Sequence, residues 1–317
     1  MGWWQVNADT LAGSRFVVSP LAEATASLIT LARATAAHPG ERAWLDAHLP
    51  AYRELLAADP ITASLVRAGL RRRWIADFFT PTPTGEPAEF ERELAGIRST
   101  PAEIARENLG PALTPELDRT DLAQRTADLL EWVWTRAVLP EWPRRRRVIE
   151  ADVVARTGKL GQGGWAAVLG DLRQGMRWLG SNRLQVNVYD YPPREVDGAQ
   201  LFFVPVTPRQ GWVCWDAHNR SAVVYPCSGV LAEPPPPVPD TLGRLLGAAR
   251  AGVLVLLDTP KSTTQLVALT GQGLGSVGRH LKVLLDARLV CRQRAGRSVL
   301  YRRTLEGEAL VAAQFRE

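Results

Sequence analysis

Cysteine is scarce in this chain: 317 residues hold three, Cys214, Cys227 and Cys291, too few and too scattered for a disulfide framework. The stapled architecture of small secreted domains is thereby excluded, and a reducing compartment fits. No apolar run approaches the roughly 20 residues that span a bilayer. The start, Met1-Gly2-Trp3-Trp4, has neither the basic segment nor the cleavable apolar core of an export signal. A cytoplasmic location without membrane association is therefore expected. Catalytic constellations are missing too. No nucleophile, base and orienting acid can be assembled, and His38 and His48 fall in helical or loop context. The reading is of a protein that is not an enzyme.

Two further absences concern bound groups. Residues 158–164, Gly-Lys-Leu-Gly-Gln-Gly-Gly, lack the preceding strand and the Gly-Lys-Ser/Thr ending of a phosphate-binding loop, and read as a flexible interhelical loop. Cys214, His218 and Cys227 lie near one hairpin, but no two have the close spacing of zinc ligands. No metal and no cofactor are expected.

What the chain does have is an ordinary globular balance, 46% apolar and 22% charged, and enough length for two domains. The net charge of +5 is unevenly placed. From Asp240 onward 12 Lys/Arg face 6 Asp/Glu, a net +6, which leaves −1 for all that precedes. A basic excess confined to one end is what a polyanion-binding module requires.

That end is organised around residues 262–303. Ser262 caps a short helix, 263–270, and Gly271 supplies a turn that needs a positive φ. A second helix, 274–286, puts Val277, Leu281, Leu284 and Leu285 on one face. Residues 290–294 and 299–303 then form a hairpin around Ala295-Gly296, carrying Arg292, Arg294, Arg297, Arg302 and Arg303. Helix, turn, helix and basic hairpin predict a winged helix-turn-helix, whose second helix can lie in the major groove. The helices at 241–257 and 304–315 are candidate dimerisation surfaces, since single motifs bind weakly and operators are often read by two-fold pairs.

These residues carry a resemblance. His280-Leu281, Leu284, Ala287, Leu289-Val290, Arg294, Gly296-Arg297 and Val299 to Tyr301 resemble the winged-helix repressors of the ArsR type. Leu245-Leu246-Gly247 and Arg250 to Leu254 look like that family's helix leading into the motif. Residues 15–21, 77–81 and 223–226 resemble a long N-terminal domain fused to such modules in actinobacterial regulators. The resemblance implies a transcriptional regulator that binds duplex DNA as a homodimer through its terminal helices. The cysteines with which many members sense metals are missing from 263–270. Gly273, Gly275 and Gly278 stand where the family usually shows serine or alanine, which implies a weak recognition helix or greater reliance on the wing and DNA shape.

Roles within the motif follow from position. Ser276, Arg279 and His280 lie off the apolar stripe, on the side free to meet base edges, and arginine reads guanine bidentately. Gln272 at the turn and Lys282 beside the helix are candidate phosphate contacts, and Arg294 and Arg297 bracket the wing tip. The basic runs 71–73 and 144–147 read as solvated helix faces, with auxiliary phosphate contact as the sharper alternative.

The rest reads as a mostly α protein with a small antiparallel β portion: a helical sensing or interaction domain over 1–231, a proline-rich linker at 232–240, and the DNA-binding domain over 241–317. Helices are predicted at 21–37, 41–57, 61–73, 87–97, 101–108, 121–138, 143–157 and 165–172. Strands are predicted around 184–188, 201–206, 212–215 and 222–225. Trp132, Trp134, Trp142, Trp165, Trp178 and Trp212 are candidates to line an apolar cavity for a small-molecule effector, core packing being the plainer reading. An interaction or ligand-binding protein whose winged helix mainly dimerises is the alternative function.

Overall fold

The computed structural model describes residues 2–37, 39–71, 74–86, 89–170, 172–189, 191–227, 238–258, 260–295 and 298–314. The chain forms two compact units, one of residues 1–143 and 156–228, the other of 144–155 and 229–317. The second unit thus takes in a segment that the sequence assigns to the first domain. The predicted linker falls at 232–240, of which residues 232–237 lie outside the described residues.

Eight helices are described in the N-terminal part: α1 (Ala8–Ala12), α2 (Pro20–Arg33), α3 (Pro39–Ala58), α4 (Pro60–Gly69), α5 (Phe90–Arg98), α6 (Ala102–Leu109), α7 (Leu122–Val133) and α8 (Trp142–Leu169). At the centre is α2. Ser19 caps it by accepting from the Ala22 N–H at 2.9 Å, and Pro20 opens it with a preset φ. Its residues 20–31 are all buried, the polar Glu23, Thr25, Ser27 and Thr30 among them. Leu21, Ala24, Leu28 and Leu31 face the helical core, while Ala22, Ala26 and Ile29 face a sheet.

Beside the start of α2 sits Glu93, whose Oε2 accepts from the Leu21 N–H at 2.9 Å. Burial pushes its carboxyl up to about 7, against the lowering effect of that bond and of the Ser19 hydroxyl. A carboxyl raised from 4.5 favours the fold fully below pH 4.5, and that contribution is lost as pH climbs through 7. Glu93→Gln is therefore expected to raise the thermal midpoint at pH 8, by the equivalent of about 1–3 kcal/mol, and to change little at pH 4.5. An equal shift at both pH values in thermal unfolding would refute the buried-carboxyl account.

Residues 158–164 are not the expected loop. α8 runs on through Gly158, Gly161 and Gly163 and breaks only at Gly164, whose φ of 64° and ψ of −174° suit glycine alone. Helical hydrogen bonding and the packing of Leu160, Trp165, Val168 and Leu169 outweigh a cost of about 1 kcal/mol per glycine.

Eight strands complete the first unit: β1 (Trp3–Gln5), β2 (Arg15–Phe16), β3 (Arg177–Gly180), β4 (Arg183–Gln185), β5 (Arg194–Glu195), β6 (Gln200–Val206), β7 (Trp212–Trp215) and β8 (Arg220–Pro226). They form two four-stranded sheets, ordered β3-β4-β1-β5 and β2-β6-β8-β7. Both are mixed, which corrects the antiparallel expectation. β6 pairs in parallel with β8 and with β2, and only β7 runs antiparallel to β8. The reason is burial on both faces: Leu201, Phe203, Val223 and Tyr225 enter one core, and Phe202, Val204, Ala222 and Val224 the other. Such continuous apolar runs belong to covered, parallel-paired strands.

The second unit adds α9 (Asp240–Leu246), α10 (Ala248–Leu256), β9 (Lys261–Ser262), α11 (Thr263–Thr270), α12 (Leu274–Asp286), β10 (Val290–Ala295), β11 (Ser298–Arg303) and α13 (Leu305–Ala312). The order β10-β11-β9 makes a three-stranded antiparallel sheet. Leu242, Leu254, Leu266, Val277, Leu281, Leu284, Val290 and Val311 form the core beneath it. The molecule is thus mostly α with small mixed sheets. Among the described residues no helix is long and apolar enough to cross a membrane.

Candidate nucleic-acid interface

The local build of the second unit starts at Ser262. Its Oγ accepts from the Gln265 N–H at 3.2 Å, while the Gln265 Oε1 accepts from the Ser262 N–H at 2.8 Å. This reciprocal box fixes the start of α11. Gly271 ends the helix at φ 68°, its N–H bonded to the Val267 carbonyl at 3.0 Å. α12 follows after two residues, with Val277, Leu281 and Leu284 buried.

The opposite side of α12 is open. Gly275, Gly278, Arg279 and Lys282 are exposed there. Ser276 and His280 are half-buried and occupied with each other: the Ser276 hydroxyl donates to Gln272 Oε1 at 3.2 Å and lies 3.2 Å from His280 Nε2. Burial, followed by the charges of Arg250 and Arg279, lowers the His280 pKa, so the ring is neutral at physiological pH. Ser276 thus orients the side chain of Gln272, whose NH2 group stays available as a donor. Spacing alone suggested Ser276 and His280 as independent base contacts; the structure places both in an internal relay.

On the hairpin Arg292 and Arg294 are exposed and share one face of β10, opposite Tyr301 and Val299. Arg297 lies outside the described residues. Arg303, counted with the hairpin cations by sequence, turns inward. Its Nε donates to the Leu254 carbonyl at 2.8 Å, a terminal nitrogen donates to the Val255 carbonyl, and it pairs with Glu308 at 3.0 Å. It holds the end of α10 rather than a ligand. Arg147, exposed, places its side chain 3.7–3.8 Å from where a Gly271 Cβ would stand, bringing a guanidinium to the turn before α12. The run 144–147 to which it belongs, expected as a solvated face, is exposed at Arg146 and Arg147 but buried at Arg145.

The candidate effector residues do not share a cavity. Trp132, Trp134 and Trp142 pack on the helical core, with Trp134 stacked on Phe90 at 4.6 Å. Trp165 stacks on Phe203 at 5.1 Å, and Trp178 joins it in a second core. Only Trp212 of the six borders the open cleft of the first unit, which measures about 1040 Å³ and is also lined by Trp3, Trp4, Trp74 and Trp215. Large aromatic surfaces go to the cores because each buries so much apolar area.

The cysteines stand apart. Cys214 is buried, and burial pushes its thiol up to about 12, while Cys227 Sγ donates to the Val206 carbonyl at 2.9 Å and His218 is exposed. Among the described residues no group of three His, Cys, Asp or Glu is placed to hold a metal ion. Comparison with protein families, with curated proteins and with solved structures finds no match to this chain.

Proposed function

We propose that the second unit is a winged helix-turn-helix and that the chain is a sequence-specific transcriptional regulator of the ArsR type, binding duplex DNA as a homodimer. The observation that carries this reading is one helical face, Arg279 and Lys282 on α12, joined in the same unit by Arg147 at the turn and Arg292 and Arg294 on the hairpin, all exposed. Cations on a helix, a turn and a wing match the division between groove readout and backbone positioning. Gln272 and Arg279 are the proposed base-reading pair, Lys282 and Arg147 the phosphate contacts, and Arg294 and Arg297 the wing contacts. Small-molecule control through the first unit belongs to the same reading.

Dimerisation has its own support. Leu245 on α9 is 66% exposed and Leu305 on α13 is 86% exposed, and the Thr241 hydroxyl of α9 donates to Gln314 Oε1, just past the end of α13, at 2.5 Å. Apolar residues left open on terminal helices suit a second copy of the chain. They equally favour the alternative in which this unit mainly dimerises.

The test is binding to a random-sequence duplex over a range of salt. Affinity is expected to fall with a slope of about −0.9 per phosphate contacted, and Arg292→Ala with Arg294→Ala to flatten it by about 1–2. Dimers in sedimentation with no duplex binding at low salt would leave the dimerisation alternative and remove the regulator. An unchanged slope in the double variant would take the wing off the DNA.

A further inference from the structure

The cleft of the first unit carries a chemistry of its own. Arg71, Arg173, Arg194 and Arg209 line it, with Arg33, Arg156 and the Asp77 carboxyl also in the lining, and among the described residues none of the first four makes an ion pair. Arginine stays charged in proteins, so arginines lining the cleft in excess over the single carboxyl of Asp77 give it a net positive field. The Arg194 guanidinium lies 4.3 Å from the Trp215 ring centroid, and Arg71 lies 6.0 Å from that of Trp74. The Arg194 Nε is buried with no hydrogen-bond partner. Such an atom costs about 1–3 kcal/mol unless something is supplied to accept from it. Burial also lowers the pKa of Arg173 and of Arg194, which marks both charges as partly stripped of water.

Each indole holds a cation on its face, and the walls carry flat aromatic surface beside N–H donors. That combination suits one kind of small molecule. We infer that the cleft binds a planar aromatic anion, its carboxylate or phosphate received by Arg71, Arg173, Arg194 and Arg209 and its ring laid against Trp74 or Trp215. At about 1040 Å³ the space admits a ligand of one to three fused rings with its acid group. The inference gives chemistry to the small-molecule control proposed above but stands without it, because binding is read with no DNA present.

The experiment uses the full chain, following tryptophan fluorescence and calorimetry with four probes: indole-3-carboxylate, AMP, neutral indole and inorganic phosphate. At least one of the aromatic anions should saturate the site with a Kd below about 1 mM, and indole and phosphate should bind at least tenfold more weakly. Which of the two binds tells a carboxylate source from a phosphate source. Arg173→Gln with Arg194→Gln should weaken the winning probe by more than tenfold, since charge-assisted bonds are lost. Should that pair disturb folding, the exposed pair Arg71→Gln with Arg209→Gln is expected to weaken it several-fold with an unchanged melting profile. Equal binding of indole, unaltered affinity in both double variants, or no saturation by either aromatic anion up to about 5 mM would overturn the inference.

Discussion

Gly307→Ala is expected to unfold the C-terminal unit. A Cβ at this position would stand 2.0 Å from the Leu289 carbonyl oxygen and 3.0 Å from its carbon. Backbone cannot swing aside as a flexible side chain can, and this carbonyl is held. It accepts from the Thr304 N–H at 3.1 Å, while the Leu289 N–H bonds back to Leu284 at 3.0 Å at the end of α12. Arg288 just before it already sits at φ 58°, a left-handed conformation that side chains tolerate poorly. On the other side Gly307 is tied by its own N–H to Thr304 Oγ1, the cap of α13, at 3.1 Å. Relief requires α13 to lift away, exposing Val311 and Leu310, or the Leu289–Thr304 bond to break. Either route costs more than about 3 kcal/mol, in the range of severe overpacking. Amide exchange should show residues 261–314 losing protection while residues 2–143 keep theirs. Unchanged protection in the second unit would show that α13 is not seated as described.

The same unit shows what was legible from sequence. Ser262 as cap, Gly271 at positive φ, and Val277, Leu281 and Leu284 in register are local signals, written within one turn of the helices they shape. Helices 263–270 and 274–286 therefore fall on the expected residues. Arg303 shows the limit: a count of charges says nothing of direction, and this guanidinium turns in to meet two carbonyls of α10. Ser276 and His280 show it again, because a four-residue spacing that frees both for DNA also lets them bond each other.

In the first unit the gaps have different causes. Alternation tells strands from helices but not the direction of their partners, so the β portion reads as antiparallel while β6 and β8 pair in parallel. The glycine-rich residues 158–164 read as a loop by composition, and the packing of α8 outweighs their cost in a helix. The cleft had no local signal at all. Arg71, Arg173, Arg194 and Arg209 are far apart in the chain and meet only through the fold. The tryptophans stand out by number, yet all six candidates serve cores, Trp212 bordering the cleft as well, and Trp74 and Trp215, which also border it, are not among them.

If α12 reads duplex DNA as proposed above, Gly275→Ala combined with Gly278→Ala should move stability and DNA affinity in opposite directions. An added Cβ meets nothing within 4 Å at either position, and both residues lie exposed inside α12. Alanine there removes backbone entropy from the unfolded chain without a clash, so the unit should gain about 1–2 kcal/mol in denaturant unfolding. A free helix gains from the change; a helix pressed into a groove does not. Gly275 and Gly278 share the open side of α12 with Arg279 and Lys282, so duplex seated on those cations would meet two methyl groups where the backbone now allows close approach. Affinity for genomic fragments selected by the unaltered protein should fall at least tenfold, about 1.4 kcal/mol. The comparison separates two accounts of the glycines. If they merely weaken the helix, firming it lowers the ordering cost and tightens binding. If they make room, the more stable variant binds worse. Tighter or equal binding would move α12 out of the groove and leave recognition to the hairpin.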